Sequence, residues 1–103
     1  MGQKMKSQYR RKMLDAVESV IGDIVSEIVD KYYGDKVETD YDYEKILYSI
    51  AKFIKQEVYG GNATLDDIVN YLTKLRSKKN FAKLVLSYLI AQAIEGGEEA
   101  PAL

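Results

Sequence analysis

The stretch LDAVESVIGDIVSEIVDKY, residues 14–32, decides the fold of this chain. Its apolar residues recur at steps of three and four, which is the spacing of one face of an α-helix. Aspartates and serines occupy the opposite positions, so the helix is amphipathic and needs a partner for its apolar face. We expect it to cover residues 7–33 and to end before Gly34, because glycine is favoured just beyond a helix. The apolar face consists of Leu14, Val17, Ile21, Ile24, Val25, Ile28, Val29 and Tyr32.

A second amphipathic segment covers residues 41–59. Thr39 or Asp40 is the predicted cap at its start, and Thr39 with Asp42 three residues further on approximates a capping box. Gly60 and Gly61 predict its end, because glycine accepts the left-handed conformation that a helix exit needs. The predicted buried face consists of Tyr43, Ile46, Leu47, Ile50, Ile54 and Val58.

Two further helices are predicted over residues 65–76 and 81–95. Thr64 and Asp67 have the types and spacing of a helix cap. A break at residues 77–80, with Asn80 as the next cap, separates the two helices; a single continuous helix is the alternative. The predicted inward residues are Leu65, Ile68, Val69, Leu72 and Leu75, followed by Phe81, Leu84, Val85, Tyr88, Leu89 and Ile94, with Leu86 and Ile90 widening the apolar surface.

Together these segments predict an all-α fold, a compact bundle of about four amphipathic helices. The connections are short, so one domain over residues 1–97 accommodates all four. A basic N-terminal arm, residues 1–12, belongs to this domain, and residues 98–103 form a short disordered, flexible tail.

Residue types that carry much of protein chemistry are missing. The 103 residues include no cysteine and no histidine. This removes the thiolate nucleophile, the commonest general base and the commonest transition-metal ligand together. We therefore expect no enzymatic activity, no cofactor and no metal site. No stretch approaches 18 consecutive apolar residues, so no membrane contact is expected and a cytoplasmic location follows.

Charge is segregated along the chain, although the formal net charge is only -1. Residues 1–14 and residues 68–94 each carry five basic residues and no acidic one, whereas residues 15–44 carry ten acidic residues and two lysines. Such blocks create local potentials that steer charged partners. Alternatively, the basic and acidic blocks neutralise one another within the bundle or across a homodimer.

An acidic-aromatic patch is predicted in the acidic block. Six of the nine tyrosines lie between Tyr32 and Tyr59, and exposed tyrosines are enriched at protein interfaces. The patch comprises Asp35, Glu38, Asp40, Tyr41, Asp42, Glu44 and Tyr48. It would suit a basic protein partner. In the alternative, these tyrosines cover the ends of the bundle with their hydroxyls in water.

The two basic blocks are candidate contacts for DNA or RNA. Lysines at the start of a helix can bind phosphate, which the helix dipole also favours, and Tyr9 could stack on a base. The candidate residues are Lys4, Lys6, Tyr9, Arg10, Arg11 and Lys12 in the arm, and Arg76, Lys78, Lys79 and Lys83 around the last turn. The alternative for the arm is a flexible solubilising segment or the frayed start of a helix.

The first hypothesis for function is a non-enzymatic accessory or adaptor subunit. It would dock on a larger protein assembly that handles nucleic acid, such as replication or transcription machinery. The second is a direct nucleic-acid-binding protein that uses the basic hairpin and the N-terminal arm.

Overall fold

The computed structural model describes the backbone of residues 2–34, 37 and 40–95, and the side chains of residues 8–34, 37 and 42–94. Within these ranges the chain forms four α-helices and no strand: α1 (Gly2–Tyr33), α2 (Asp40–Phe53), α3 (Leu65–Arg76) and α4 (Lys79–Glu95). A single π-helical turn, Ile54–Val58, follows α2 directly. The predicted all-α bundle of about four helices is confirmed. The predicted cap Thr39 and the predicted tail, residues 98–103, lie outside the described residues.

Helix α1 begins at Gly2, so residues 2–12 of the predicted arm are the first turns of this helix. The predicted apolar face is buried from Leu14 to Val29, as is Met13. Tyr32 is the exception, because 60% of it is exposed. The neighbouring Tyr33 turns inward instead, and its hydroxyl donates to the Ser87 carbonyl at 3.4 Å.

Helix α2 ends in the π-helical turn, which corrects one predicted core residue. Ile46, Leu47, Ile50 and Ile54 are buried as predicted, but Val58 is 40% exposed. A π-helix places more residues in each turn than an α-helix, so Val58 does not return to the face that carries Ile54. The segment then ends as predicted at Gly60 and Gly61, whose φ angles are 64° and 94°.

Helices α3 and α4 are separate, joined by the short turn Ser77–Lys78. The Thr64–Asp67 capping box is confirmed: the Asp67 amide donates to Thr64 Oγ1 at 3.2 Å, and the Thr64 amide donates to Asp67 Oδ2 at 3.0 Å. Asn80 does not cap α4, because that helix already begins at Lys79. The Lys78 carbonyl accepts the Ala82 amide at 3.0 Å, so the helix starts two residues earlier than predicted.

The buried face of α4 differs from the predicted one. Phe81, Leu84 and Tyr88 were expected to point inward but are 50%, 70% and 57% exposed. Helix α4 carries apolar residues on two faces, so its spacing alone could not select the one that packs. The face that packs into the core contains the small residues Ala82 and Ala93, which allow neighbouring helices to approach closely. The buried residues are Ala82, Leu86, Leu89, Ile90 and Ala93.

The other helices pack around α1. Arg10 of α1 lies over the Tyr48 ring, whereas Tyr43, earlier in α2, donates to the Gly22 carbonyl at 3.1 Å. The earlier residue of α1 therefore contacts the later residue of α2, which means that α1 and α2 run antiparallel. Between α1 and α4 the order is preserved, because the contacts join Glu27 to Lys83 and Tyr33 to Ser87.

The apolar faces of all four helices meet in a single core. No charged side chain is buried among those described. The radius of gyration is 13.0 Å, which matches the value of about 13 Å expected for a single domain of this length. No helix in the described part of the chain is long and apolar enough to cross a membrane.

Candidate protein-docking surface

The predicted acidic-aromatic patch contains one residue that the structure places in the core. Tyr48 is only 1% exposed, so its predicted exposure is wrong. Glu44 forms an ion pair with Arg11, whose Nη1 lies 3.0 Å from Oε2 of the glutamate. Asp42 is half-buried. The side chains of the other four members, Asp35, Glu38, Asp40 and Tyr41, lie outside the described residues.

Tyr48 holds the start of α1 against α2. The Arg10 guanidinium carbon lies 5.2 Å from the centre of the tyrosine ring, within the range of a cation–π interaction. Tyr48 extends the buried run that begins with Ile46 and Leu47. Three consecutive buried positions require a helix covered on more than one side, and α2 packs against both α1 and α4. The uninterrupted apolar run Ile-Leu-Tyr was the signal that could have identified this residue.

Two of the predicted nucleic-acid contacts in the second basic block are paired with α1. Arg76 forms a bidentate ion pair with Asp23, in which Nη1 lies 2.6 Å from Oδ1 and Nη2 lies 2.7 Å from Oδ2. Its Nη1 also donates to the Val20 carbonyl at 2.7 Å. Lys83 pairs with Glu27 at 3.3 Å. The alternative in which the basic block partly neutralises the acidic one within the bundle holds for these two residues.

The Arg76–Asp23 ion pair shifts the pKa values of both side chains. Hydrogen bonds from Arg76 lower the pKa of the Asp23 carboxyl from 3.8 to about 2. The same contact raises the pKa of Arg76. Both side chains remain exposed, by 43% for Arg76 and 66% for Asp23, so water screens the pair. Its main effect is to fix the end of α3 on α1.

Three lysines near the α3–α4 turn remain exposed: Lys74, Lys78 and Lys79. We call them the lysine cluster. None forms an ion pair with a described residue. In the N-terminal block, Arg10 is engaged with Tyr48, Arg11 with Glu44, and Tyr9 and Lys12 are exposed. The side chains of Lys4 and Lys6 lie outside the described residues.

An apolar groove lies between α4 and the elements that precede it. Its volume is about 530 Å³. One wall is the outward face of α4, formed by Phe81, Leu84 and Tyr88 with the half-buried Val85. We call Phe81, Leu84 and Tyr88 the α4 ridge. The opposite wall comprises Phe53, Val58, Tyr71 and Leu75, and Glu57 is the one charged residue among the described residues that line the groove.

Two members of the lysine cluster, Lys74 and Lys78, adjoin one end of this groove. A second recess, of about 330 Å³, is lined by Tyr71, Lys74, Leu75, Lys78 and Phe81. Tyr71, Leu75 and Phe81 also line the groove, so the two recesses share a wall. The apolar surface therefore continues past Phe81 into a positively charged rim.

This arrangement suits a macromolecular partner better than a small molecule. Pockets for small ligands enclose most of the ligand surface, whereas the α4 ridge is half or more exposed along the groove. Contiguous exposed apolar surface rimmed by polar residues is typical of protein–protein contacts. Among the residues with described side chains, no group of three acidic residues is placed to hold a metal ion.

No family model, no curated protein and no solved structure matches the chain.

Proposed function

We propose that this protein is a non-enzymatic accessory subunit that docks on a larger protein through the α4 ridge and the apolar groove. The observation that carries the proposal is the exposure of Leu84, which is 70% exposed between Phe81 and Tyr88 on a helix whose other face is buried in the core. A helix that is apolar on two faces needs a second partner for its outer face.

Burial of the ridge can supply binding energy. Complete burial of one large apolar side chain contributes about 1.5–3 kcal/mol. Association and side-chain ordering cost several kcal/mol, so the three ridge residues need the groove wall as well. Val58 adds to that wall because the π-helical turn holds it outward. Ridge and groove together therefore form the docking surface.

The proposal is tested by capturing partners from a lysate of the source organism with the wild-type protein and with Leu84→Asp. An exposed leucine can be replaced without unfolding the domain, whereas a carboxylate in a closed apolar interface is strongly unfavourable. We expect at least one protein to be recovered about tenfold less well with the variant. Ser19→Asp, on the exposed side of α1, is the matched control. Equal recovery with wild type and both variants would contradict the proposal.

Direct nucleic-acid binding is the second candidate, and the lysine cluster favours it. The three lysines lie at the α3–α4 turn without an ion pair to any described residue. Phosphate contacts by lysine release counterions, so affinity would fall steeply as salt increases. Short labelled DNA and RNA should then show a shallower salt dependence with Lys78→Gln and Lys79→Gln. No binding of either nucleic acid at low salt would eliminate this candidate, and nuclease treatment of the lysate separates it from the first.

A further inference from the structure

We infer that the groove binds an amphipathic helix whose acidic residues are gathered at one end, and that this acidic end lies over Lys74 and Lys78. The inference rests on the proposed docking function and specifies the partner's chemistry. It depends on three features of the described residues: the spacing of the ridge, the helical character of both walls and the one-sided charge of the rim.

The spacing of the α4 face is that of a helix prepared to pack against another helix. Phe81, Leu84, Val85 and Tyr88 occupy positions i, i+3, i+4 and i+7. Residues with this spacing form a continuous stripe along a helix, and such stripes interlock with the side chains of a neighbouring helix. A helical partner that inserts apolar residues at the same spacing would continue the packing of the bundle.

Both walls of the groove are helical, which disfavours a partner in extended conformation. An added β-strand needs a row of unpaired backbone amides and carbonyls to pair with. Helices use these groups internally, and the π-helical turn does so as well, with the Tyr59 amide donating to the Ile54 carbonyl at 3.3 Å. A helix requires no backbone partner and binds through its side chains alone.

Charge distinguishes the two ends of the groove. Lys74 and Lys78 line the recess that continues the groove beyond Phe81, and the first turn of α4 contains no acidic residue. The positive end of the α4 dipole lies at the same place. Carboxylates on the partner would therefore be attracted to this end. Glu57, the charged residue of the opposite wall, disfavours acids placed over the π-helical turn.

A second copy of this chain meets this requirement less well. Residues 68–94 contain no acidic residue. An α4 helix from another copy, laid antiparallel along the ridge, would bring Glu95, the single acidic residue of that helix, toward this end, so one carboxylate would face two lysines. Self-association through the ridge is nevertheless a definite outcome of the test below.

The test selects binders from a displayed library of random 16-residue peptides on the 103-residue wild-type chain and on the double variant Lys74→Glu/Lys78→Glu. We expect wild-type binders to combine apolar residues at helical spacing with acidic residues near one end. Binders of the double variant should carry basic residues there instead. Since each exposed ion pair contributes modestly, the best wild-type peptide should lose about tenfold in affinity for the double variant, measured by fluorescence anisotropy.

The control double variant, Lys12→Glu/Lys45→Glu, reverses two lysines that line neither recess, and it should retain the wild-type affinity. Proline-rich or strand-like binders, or binders without an acidic end, would overturn the inference. So would a ridge-dependent dimer of the free protein in analytical ultracentrifugation. If Leu84→Asp abolishes peptide binding while the double variant leaves it unchanged, the docking surface stands and only the acidic end is wrong.

Discussion

The two sides of the α3–α4 hairpin have similar sequences and opposite environments. On the side facing α1, Arg76 and Lys83 are paired with Asp23 and Glu27, and Ile90 is completely buried. On the side facing the groove, Lys74 and Lys78 have no described ion-pair partner and the α4 ridge is exposed. Both sides are basic and apolar. The difference lies in what packs opposite them, because α1 supplies carboxylates and apolar residues to only one side.

This contrast shows why the net charge of a sequence block is a poor guide to its surface. In the sequence, residues 68–94 form one uniformly basic block. The fold divides that block by turning Arg76 and Lys83 toward the acidic side of α1. Of the remaining lysines, Lys74 and Lys78 lie at one end of the groove, where we propose that they attract an acidic partner.

The largest expected effect comes from truncating one apolar residue on each side of α4. Ile90→Ala should lower the free energy of unfolding by about 2–5 kcal/mol, because it leaves a cavity in the core. Leu84→Ala should change it by less than about 0.5 kcal/mol, because Leu84 is 70% exposed and surface substitutions are usually this small. Urea denaturation followed by circular dichroism measures both values.

An equal loss of unfolding free energy in Ile90→Ala and Leu84→Ala would contradict the proposed difference between the two faces of α4. A cost above about 2 kcal/mol for Leu84→Ala is the value expected for a buried leucine, and it would mean that the ridge is covered in solution. Repeating the denaturation at two protein concentrations then shows whether a second copy covers it, since dimer stability depends on concentration.

An intermediate effect is expected at the Arg76–Asp23 pair, in its response to pH. Because the folded-state pKa of Asp23 is lowered to about 2, the pair stabilises the fold above the unfolded pKa of about 3.9. That stability is lost as the pH falls from about 4 to about 2. Arg76→Gln should return the pKa of Asp23 toward its ordinary value and remove this pH dependence.

Carboxyl carbon NMR of Asp23 during an acid titration measures this pKa directly. Lys78→Gln is the matched control, because Lys78 belongs to the other side of the hairpin and forms no described contact with Asp23. If both variants raise the pKa equally, the shift reflects the general positive potential of the block and not the pair.

Much of the fold followed from the sequence because local signals and burial agreed there. The α1 face from Leu14 to Val29 has one apolar stripe, and the Thr64–Asp67 capping box is a purely local structure. The face of α4 could not be chosen, because Leu84 and Ile90 are equally apolar and only the neighbouring helices decide between them. Val58 was misplaced because nothing in its spacing signals a π-helical turn.

The candidate site was predicted only in part, and for a related reason. Lys78 and Lys79 were singled out as cations at an exposed turn, because the local sequence is sufficient to predict such a turn. The apolar groove was missed, since its walls come from α2, α3 and α4 and exist only after packing. Tyr48 was placed on the surface because tyrosine is common both in cores and at interfaces, and the contact with Arg10 joins residues 38 positions apart.

The smallest expected effects have opposite signs at two lysines in the first turns of α4. Lys83→Gln should destabilise the fold by about 0.2–1 kcal/mol, because it removes an exposed ion pair with Glu27. Lys79→Gln should stabilise it by about 0.3–1 kcal/mol, because a cation in the first turn of α4 opposes the helix dipole. Both differences should shrink in 1 M salt, where charges are screened beyond about 3 Å. Thermal denaturation of the two variants at low and high salt provides the measurement, and the same sign for both would mean that Lys79, like Lys83, has a carboxylate partner in solution.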